Sequence, residues 1–277
     1  MREPVVSVIV PTYNSASYLE ACLKSVREQT YKAIELIVVD NNSTDNTVHI
    51  AKRYADLVLN QGPERSAQRN FGFKHAKGNY VIIPDSDMVF TPEVVMQCVQ
   101  VMNANTDLKA VVIPEESFGQ GFWAQCKKLE RSFYEGVDWM EAARFFDRHT
   151  FEQMRGYDEK NTGTEDYDLP QRIELEYGAT AIGRITAHFL HNEQRINLWK
   201  TIKKKFYYAG KMNRYRSVPA NQSKFKKQSS MLQRYLLFLR DPVRLLKNPG
   251  VGVGMLFMKT AEFAAAGFGF VTAKLRT

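Results

Sequence analysis

Two carboxylates separated by one small residue follow a short run of β-forming residues. The stretch reads Val81-Ile82-Ile83-Pro84-Asp85-Ser86-Asp87. Two acids that face one pocket raise each other's pKa unless a cation neutralises them. Mg²⁺ and Mn²⁺ favour such oxygen ligands and commonly bridge them to substrate phosphates. A solvated turn is the alternative, because Asp and Ser are ordinary turn residues, but the position at a strand end favours a metal site.

A second polar cluster, from Asp40 to Asp45, ends another apolar run. The carboxylate of Asp40 could accept a hydrogen bond from the base or ribose of a nucleotide. The same residues also suit an Asx turn and a helix cap, with Ser43 or Asp45 near the cap position. We expect both interpretations to hold, for different residues.

A third cluster places three acids, Glu165, Asp166 and Asp168, in four positions. Paired acids can divide labour, with one acting as a base and the other orienting it. Taken alone, the cluster is more typical of the acidic first turn of a helix, which the helix dipole favours.

Two histidines, His188 and His191, are spaced three residues apart. Their stretch reads as a strand, on which they would point to opposite faces. At most one of them should therefore line a site.

The clusters follow elements that alternate between strand and helix. The strands are expected at residues 5–10, 34–39, 57–59 and 80–83, and the helices at 19–26, 45–54 and 66–75. This rhythm predicts an α/β fold with a mostly parallel sheet and helices on both faces. Ligands of such sheets bind beyond the carboxyl ends of the strands. The chemistry should therefore lie at residues 11–14, 40–45 and 84–88.

The later chain shows weaker patterns. We expect an amphipathic stretch at 91–102, strands at 110–114 and 179–190, and a polar, linker-like segment at 217–229.

The composition indicates a folded protein. The chain has 277 residues, of which 44% are hydrophobic, enough for one sizeable core with an appendage. The first residues lack a basic region followed by an apolar run, so we expect no signal peptide.

Cys22, Cys98 and Cys126 have neither the spacing of a metal site nor that of a disulfide framework. They are expected to be buried small hydrophobes in a reducing compartment.

The positive charge is concentrated at one end of the chain. Residues 192–277 hold 18 lysines and arginines against three acids, a formal charge of +15, whereas the remainder carries −7. Such asymmetry points to a polyanionic partner, either nucleic acid or an anionic membrane. Apolar clusters between the charges favour a membrane surface. Lys259 and Glu262 interrupt the apolar run 251–273, which argues against a span and for interfacial helices.

Three stretches, in this order, resemble family-2 glycosyltransferases, which have the GT-A fold. The first stretch is VSVIVPTYNSASYLEACLKSVREQTYKAIELIVVDNNSTDNT. The second is SAQRNFGFKHAKGNYVIIPDSDMVF, and the third is GYDEKNTGTEDYDLPQR. The resemblance covers about residues 5–195. It implies a catalytic domain at 1–191, with a nucleotide-binding half at about 1–114 and an acceptor half at about 115–191. Residues 192–277 would form a basic, amphipathic, helical tail that associates with membrane.

The resemblance also implies residue roles. Asp166 would be the catalytic base with Glu165 beside it, and Arg172 and Trp139 would lie on the acceptor side. Mn²⁺ or Mg²⁺ would be held by Asp85, Asp87 and His191. The residues implied in binding the nucleotide sugar are Pro11, Thr12, Tyr13, Asn14, Asp40, Asn42, Arg69, Asp85 and Ser86.

The implied activity is inverting transfer of one sugar from a nucleoside-diphosphate sugar, most simply UDP-linked, to an acceptor hydroxyl. The sugar would be a hexose or an N-acetylhexosamine. The acceptor would be a lipid-linked or cell-envelope glycan at the cytosolic membrane face, with the enzyme cytoplasmic and peripheral. Asn41 stands where many relatives have a second acid, and the Gln-x-x-Arg-Trp motif of processive synthases is absent.

Two other classes of protein remain open from the residues alone. A nucleotidyltransferase also uses nucleotides and paired carboxylates, but the segment 11–17 has neither Gly nor Lys. A non-catalytic module that binds nucleic acid or membrane would use the basic tail and treat Asp85-Ser86-Asp87 as a turn. Nucleotide binding that requires Mn²⁺ would distinguish an enzyme from such a module.

Overall fold

A computed structural model describes residues 3–209 and 212–274. The strands are β1 Val6–Thr12, β2 Ile34–Asp40, β3 Leu57–Asn60, β4 Tyr80–Ile82, β5 Met88–Phe90, β6 Ala110–Val112, β7 Glu115–Gln120, β8 Ala143–Asp147, β9 Ile182–Arg184 and β10 Phe189–Arg195. The helices are α1 Leu19–Arg27, α2 Thr47–Tyr54, α3 Arg65–His75, α4 Val94–Ala104, α5 Phe122–Ser132, α6 Arg148–Gln153, α7 Glu165–Tyr177, α8 Leu198–Ala209, α9 Asn213–Ser217, α10 Gln222–Ser229, α11 Met231–Phe238, α12 Pro242–Leu246 and α13 Pro249–Lys274.

The chain divides into two compact units, each built from separate stretches. Unit 1 consists of the chain up to Glu115 together with Ala142–Lys160 and Glu165–His191. Unit 2 consists of Glu116–Glu141, Asn161–Thr164 and the chain from Asn192 onward.

Unit 1 is built on a seven-stranded sheet in the order β3-β2-β1-β4-β8-β6-β9. The strands β3, β2, β1 and β4 are parallel, as predicted, whereas β8 runs antiparallel to both β4 and β6. Alternate residues of each central strand face opposite sides of the sheet, so one core contains Val8 and Val10 and the other contains Ile9. Each side is covered by helices, which explains why the strands read as continuous apolar runs.

The carboxyl ends of β1, β2 and β4 place polar residues at one edge of the sheet. In register, Thr12 at the end of β1 lies opposite Asp40 at the end of β2. The chain then leaves β4 at Ile82 and reaches Asp85 within three residues. The predicted location of the chemistry therefore coincides with the edge where the strands end.

The predicted strand at 179–190 was wrong in its extent. The segment forms a short 3-10 helix, Ala179–Ala181, then β9, a loop, and the start of β10. The loop avoids strand pairing because the side chain of Gln97 accepts hydrogen bonds from the backbone N–H groups of Thr186 and Ala187, at 3.1 and 2.9 Å.

The linker-like interpretation of 217–229 was also wrong. The segment contains a short 3-10 helix, Pro219–Asn221, followed by α10. No residue of α10 is buried, so its sequence carries no apolar periodicity and reads as a loop.

Unit 2 is helical apart from β7 and the end of β10, and it has its own hydrophobic cluster. The cluster joins Cys126, Phe133 and Trp139 to Leu237 and Phe238 and to one face of α13. Leu237 and Phe238 belong to the apolar clusters among the basic residues of the tail, which were predicted to face a membrane surface, together with Leu236, Leu256 and Phe257. The prediction was wrong for Leu237 and Phe238, because their side chains are 5% and 0% exposed inside this cluster.

The helix α13 brings two charges into the interior of unit 2. Lys259 Nζ donates to Glu262 Oε2 at 2.6 Å and to Glu130 Oε1 at 2.5 Å. By length and composition its segment Pro249–Thr272, alone among the described helices, could cross a membrane, a test that a core helix also passes. The buried charges are neutralised by protein groups, as is usual for charges in a protein interior.

A close helix approach depends on one glycine of α13. A Cβ atom added to Gly269 would lie 2.2 Å from the carbonyl oxygen of Phe206 in α8. The backbone of α8 cannot yield to that contact, so only glycine lets the two helices pack at this distance.

Candidate active site

The site of unit 1 is organised by three consecutive residues of α3. Gln68 Nε2 donates to the carbonyl oxygens of Thr12 and Val39, at 2.9 and 2.6 Å, and so joins the ends of β1 and β2. Asn70 exchanges hydrogen bonds with the backbone of Tyr157. Between them, the side chain of Arg69 is fully buried and points to the acidic clusters.

Arg69 joins two of the acidic clusters found in the sequence. Its Nη2 donates to Asp85 Oδ1 at 2.7 Å, and its Nη1 donates to Asp166 Oδ1 at 2.8 Å. The same Nη1 lies 3.4 Å from Glu165 Oε1. One guanidinium therefore fixes acids from the end of β4 and from the start of α7, and its planar fork suits such paired contacts.

Two further arginines complete the network, and sequence reasoning missed both. Arg144 on β8 lies 3.3 Å from Asp85 Oδ2, 3.4 Å from Asp166 Oδ1 and 3.0 Å from Glu115 Oε1. Arg65 lies 3.3 Å from Glu165 Oε1. Arg144 interrupts the apolar strand Ala143–Asp147. This position indicates a buried ion pair, because an unpaired arginine is almost never buried.

The arginines determine the ionisation of the two best-enclosed acids. Burial would raise the pKa of Asp85, but Arg144, Arg69 and Arg65 outweigh it and hold that pKa well below its usual range. For Glu165, burial and the adjacent Asp166 raise the pKa, and Arg69 and Arg65 offset only part of that rise. The arginines therefore favour the anionic form of Asp85, whereas Glu165 holds a proton more readily than an ordinary glutamate.

The predicted metal ligands are only partly brought together. Both oxygens of Asp85 face arginines, and within residues 3–209 and 212–274 no three His, Cys, Asp or Glu side chains form a metal-binding group. Asp87 and His191 do meet, with Asp87 Oδ2 3.3 Å from His191 Nε2. The other oxygen, Asp87 Oδ1, is buried and has no hydrogen-bond partner in the described part of the chain. An orphaned carboxylate oxygen beside an imidazole fits a divalent cation.

Several of the residues predicted to bind the nucleotide lie at the ends of β1 and β2. Asp40 is buried and already accepts hydrogen bonds from Thr12 Oγ1 and from the backbone and hydroxyl of Ser43. The bond from the Ser43 N–H spans three residues. The predicted Asx turn lies at Asp45, which accepts from the N–H of Thr47 two residues on, at the start of α2. The ring of Tyr13 is 60% exposed, which leaves a face free for stacking.

The other residues predicted to bind the nucleotide near these strand ends make single polar contacts or are buried. Pro11 is buried beside Thr12. Asn14 Oδ1 accepts from the N–H of Thr44, Asn42 Oδ1 accepts from Asn60 Nδ2, and the hydroxyl of Ser86 lies 3.2 Å from that of Ser15.

The family model for glycosyl transferase family 2 matches residues 7–163. This range contains the second sequence block, all but the first residue of the first block, and the three arginines of the network. The chain belongs to this family.

Sequence relatives agree over part of the chain. The putative glycosyltransferase EpsH of Bacillus subtilis is 35% identical over 114 residues, which are 39% of this chain and 33% of EpsH. The matched segments span only 13% to 38% of the lengths of the curated relatives.

Solved structures share the fold of this family-2 chain over almost its whole length. The mannosyltransferase PcManGT of Pyrobaculum calidifontis, in complex with GDP-Man and Mn²⁺, superimposes with a TM-score of 0.62 at 19% identity, covering 98% of this chain and 88% of that one. Residues 1–349 of Staphylococcus aureus TarS, in complex with UDP-GlcNAc, give a TM-score of 0.54 at 17% identity, covering 99% and 92%. At these identities the similarity establishes the GT-A fold.

The two residues that the family resemblance assigned to the acceptor lie in different units. Arg172 in unit 1 donates to Asp168 Oδ2 and to the carbonyl oxygens of Met154 and Gly156 at 2.6–2.8 Å, so it orders the start of α7. Trp139 belongs to the hydrophobic cluster of unit 2, under the guanidinium of Arg234. An acceptor contact by either residue stays a prediction.

Proposed function

We propose that this chain transfers one sugar, with inversion, from a nucleoside-diphosphate sugar to an acceptor hydroxyl. The observation that carries the proposal is the meeting of acids from β4 and α7 on Arg69, at the strand ends where ligands of parallel sheets bind. Membership of glycosyl transferase family 2 favours this reaction over nucleotidyl transfer.

The burial of the two acids at the start of α7 supports the assignment of the base. The side chain of Asp166 is 20% exposed, whereas that of Glu165 is 2% exposed. A general base must come within hydrogen-bond reach of the acceptor hydroxyl, and of the two acids Asp166 has the more exposed side chain. Arg69 and Arg144 orient its carboxylate, while Glu165 supports Arg65 and Arg69 from behind.

Asp87 and His191 would hold the divalent cation, Mn²⁺ or Mg²⁺. When bound, the cation would neutralise the negative charge of the diphosphate leaving group. Asp85 remains anionic among the arginines, and its contribution would be to fix Arg69 and Arg144 rather than to ligate with both oxygens.

Replacing Asp87 with asparagine should remove the dependence of nucleotide binding on metal. The amide is a weaker ligand for a hard cation, and loss even of outer-shell support typically costs about 10–100-fold in metal affinity. Calorimetric titration of UDP and GDP with and without Mn²⁺ measures the effect, with the exposed Asp107→Asn as the matched control. Unchanged Mn²⁺ dependence in Asp87→Asn would show that the metal lies elsewhere.

The nucleobase is proposed to be uracil, with Tyr13 stacking on it. The neighbours differ on this point, since PcManGT was solved with GDP-Man and TarS with UDP-GlcNAc. The titration therefore includes both nucleotides, and tighter binding of GDP would reverse the choice. We propose a hexose or an N-acetylhexosamine as the sugar and a lipid-linked envelope glycan as the acceptor.

Unit 2 supports a peripheral location on an anionic membrane. Its exposed apolar residues follow one another along the last three helices, while arginines and lysines such as Arg240 and Lys247 accompany them. The exposed apolar residues are Met231, Leu232, Leu236, Leu239, Val243, Leu246, Val253, Phe257, Phe268 and Val271. Insertion of such residues together with attraction of basic groups is the usual basis of interfacial binding.

The triple variant Leu239→Ser, Val243→Ser, Leu246→Ser should lose the salt-resistant part of membrane binding. All three side chains are more than 60% exposed, so the fold of unit 2 should persist. Flotation with anionic vesicles measures binding, and high salt should release the parent protein only partly because screening weakens charge attraction but not insertion. Leu175→Ser, at a residue of unit 1 that is 70% exposed, is the control. Equal binding to neutral and anionic vesicles would remove the electrostatic part of the proposal.

A further inference from the structure

Unit 2 contains a cavity of about 460 Å³ that the glycosyl-transfer site does not use. This volume lies in the range of small-molecule binding sites. One wall is a stripe of α13 at the spacing of a single helix face, formed by Phe263, Ala266, Gly267 and Phe270. The cavity therefore offers an apolar surface long enough for a short hydrocarbon chain.

The polar part of the cavity is rich in cations. Lys205, Arg216, Arg234 and Lys259 line it, and Glu262 is the acid among the described lining residues. Lys259 is neutralised by Glu262 and Glu130. No carboxylate in the described part of the chain lies within 4.0 Å of Lys205, so the lining keeps an excess of positive charge.

Two buried polar atoms of the lining have no hydrogen-bond partner among the described residues, although one of them, on Glu262, lies 4.0 Å from Lys127 Nζ. They are Arg234 Nε and Glu262 Oε1, on side chains that are 7% and 3% exposed. Buried polar atoms in proteins are almost always hydrogen-bonded. A donor and an acceptor left open in one cavity indicate an occupant that supplies both an acceptor and a hydroxyl.

We propose that this cavity binds a single-chain anionic amphiphile whose head group carries a phosphate and a hydroxyl and whose chain lies along Phe263–Phe270. The phosphate accepts from Arg234 and Lys205, the hydroxyl donates to Glu262, and the chain covers the apolar stripe. The proposal concerns unit 2 alone and stands whether or not the proposed reaction of unit 1 is correct.

Gly267 offers a direct way to close the cavity. A Cβ atom added there would meet no heavy atom within 4 Å, and α13 has an ordinary helical backbone at this residue. A leucine side chain would therefore project into open space without disturbing the helix. The same substitution at Gly250, an exposed residue in the first turn of α13, leaves the cavity open and serves as the matched control.

The ionisation of Lys205 gives a second readout. Glu262 raises its pKa, but desolvation and the charges of Lys127 and Lys259 outweigh this and lower that pKa to about 8. Lys127 and Glu130 from α5 and Lys259 and Glu262 from α13 act electrostatically on Lys205. Arg216 from α9 and Arg234 from α11 line the same cavity. An anion binds the protonated lysine better, so affinity should fall as the pH rises through about 8.

The experiment titrates the full chain with 1-decanoyl-lysophosphatidic acid below its micelle concentration. Glycerol 3-phosphate, which lacks the chain, and decyl maltoside, which lacks the charge, are the comparison ligands. We expect saturable binding of the first ligand and at least tenfold weaker binding of the other two. Gly267→Leu should weaken binding at least tenfold, and Gly250→Leu should leave it unchanged. Lys205→Met should weaken it roughly tenfold, the usual effect of losing a hydrogen bond to a charged group, and should abolish the fall above pH 8.

Three outcomes would overturn the proposal. Undiminished binding to Gly267→Leu would place the ligand outside the cavity. Equal affinity for glycerol 3-phosphate would show a plain phosphate site, and equal affinity for decyl maltoside would show apolar binding without head-group recognition. Circular dichroism of each variant separates a blocked site from a misfolded unit.

Discussion

The Asp166→Asn variant should keep its affinity for the nucleotide but lose roughly 10²–10⁴-fold in the rate of sugar transfer. This range is typical for removal of a general base, and an amide cannot accept the proton of the acceptor hydroxyl. The amide retains one oxygen for Arg69, which lies 2.8 Å from Asp166 Oδ1, so the arginine network should stay in place. Single-turnover transfer measures the loss, and calorimetric titration with UDP checks that binding persists.

Glu165→Gln is the matched variant for this prediction. The buried Glu165 contacts Arg65 and Arg69, so its substitution should lower stability more than it lowers the rate. Near-normal transfer by Asp166→Asn, combined with loss of transfer by Glu165→Gln, would exchange the roles of the two acids.

Arg69→Met should lower the free energy of unfolding by about 3–5 kcal/mol, the usual cost of leaving buried charges without their partner. Three carboxylates, those of Asp85, Glu165 and Asp166, would lose a fully buried guanidinium. Chemical denaturation at neutral pH measures the loss. Arg53→Met is the control, because the pair of Arg53 with Glu20 is about half exposed and such pairs contribute at most about 1 kcal/mol.

The difference between Arg69→Met and the parent protein should depend on pH. The arginines hold the pKa of Asp85 below its unfolded value, so this group contributes stability that is present above the ordinary aspartate pKa of about 4 and is lost as the pH falls further. The gap between the two proteins should therefore be widest near neutral pH and should narrow under acid conditions. A gap of constant size would mean that packing around the Arg69 side chain, rather than its charge, carries the effect.

The parallel strands of unit 1 could be predicted from local patterns in the sequence. The central ones are short, buried on both faces and followed at once by polar residues, so β1, β2 and β4 and the acids after them were visible without any knowledge of tertiary structure. Asp85 was singled out for the same reason. Asp166 was assigned as the base only through the resemblance to family-2 glycosyltransferases, because its acidic cluster taken alone is typical of a helix start. Their partner Arg144 was not singled out, because it arrives on β8, 59 residues after Asp85, and nothing local to Arg144 reveals which acids it meets.

The burial of residues in the C-terminal helices could not be predicted from local patterns. Basic and apolar residues alternate there in a way that suits both a membrane surface and a solvated protein helix. Phe238 is buried against Phe133 and Tyr134, more than 100 residues earlier in the chain, and Leu237 belongs to the same hydrophobic cluster. Burial of this kind depends on partners that a reading of one segment does not include.

The interleaving of the two units sets an order for folding during synthesis. The apolar side of α5 leaves the ribosome long before α11 and α13, which are its packing partners. Phe133 and Trp139 therefore stay exposed to solvent until the last quarter of the chain has been made. During this time they can associate with apolar residues of other nascent chains. We expect expression of this protein to respond to chaperone supply, and a gene shortened before Met231 to give aggregated product rather than a soluble catalytic fragment.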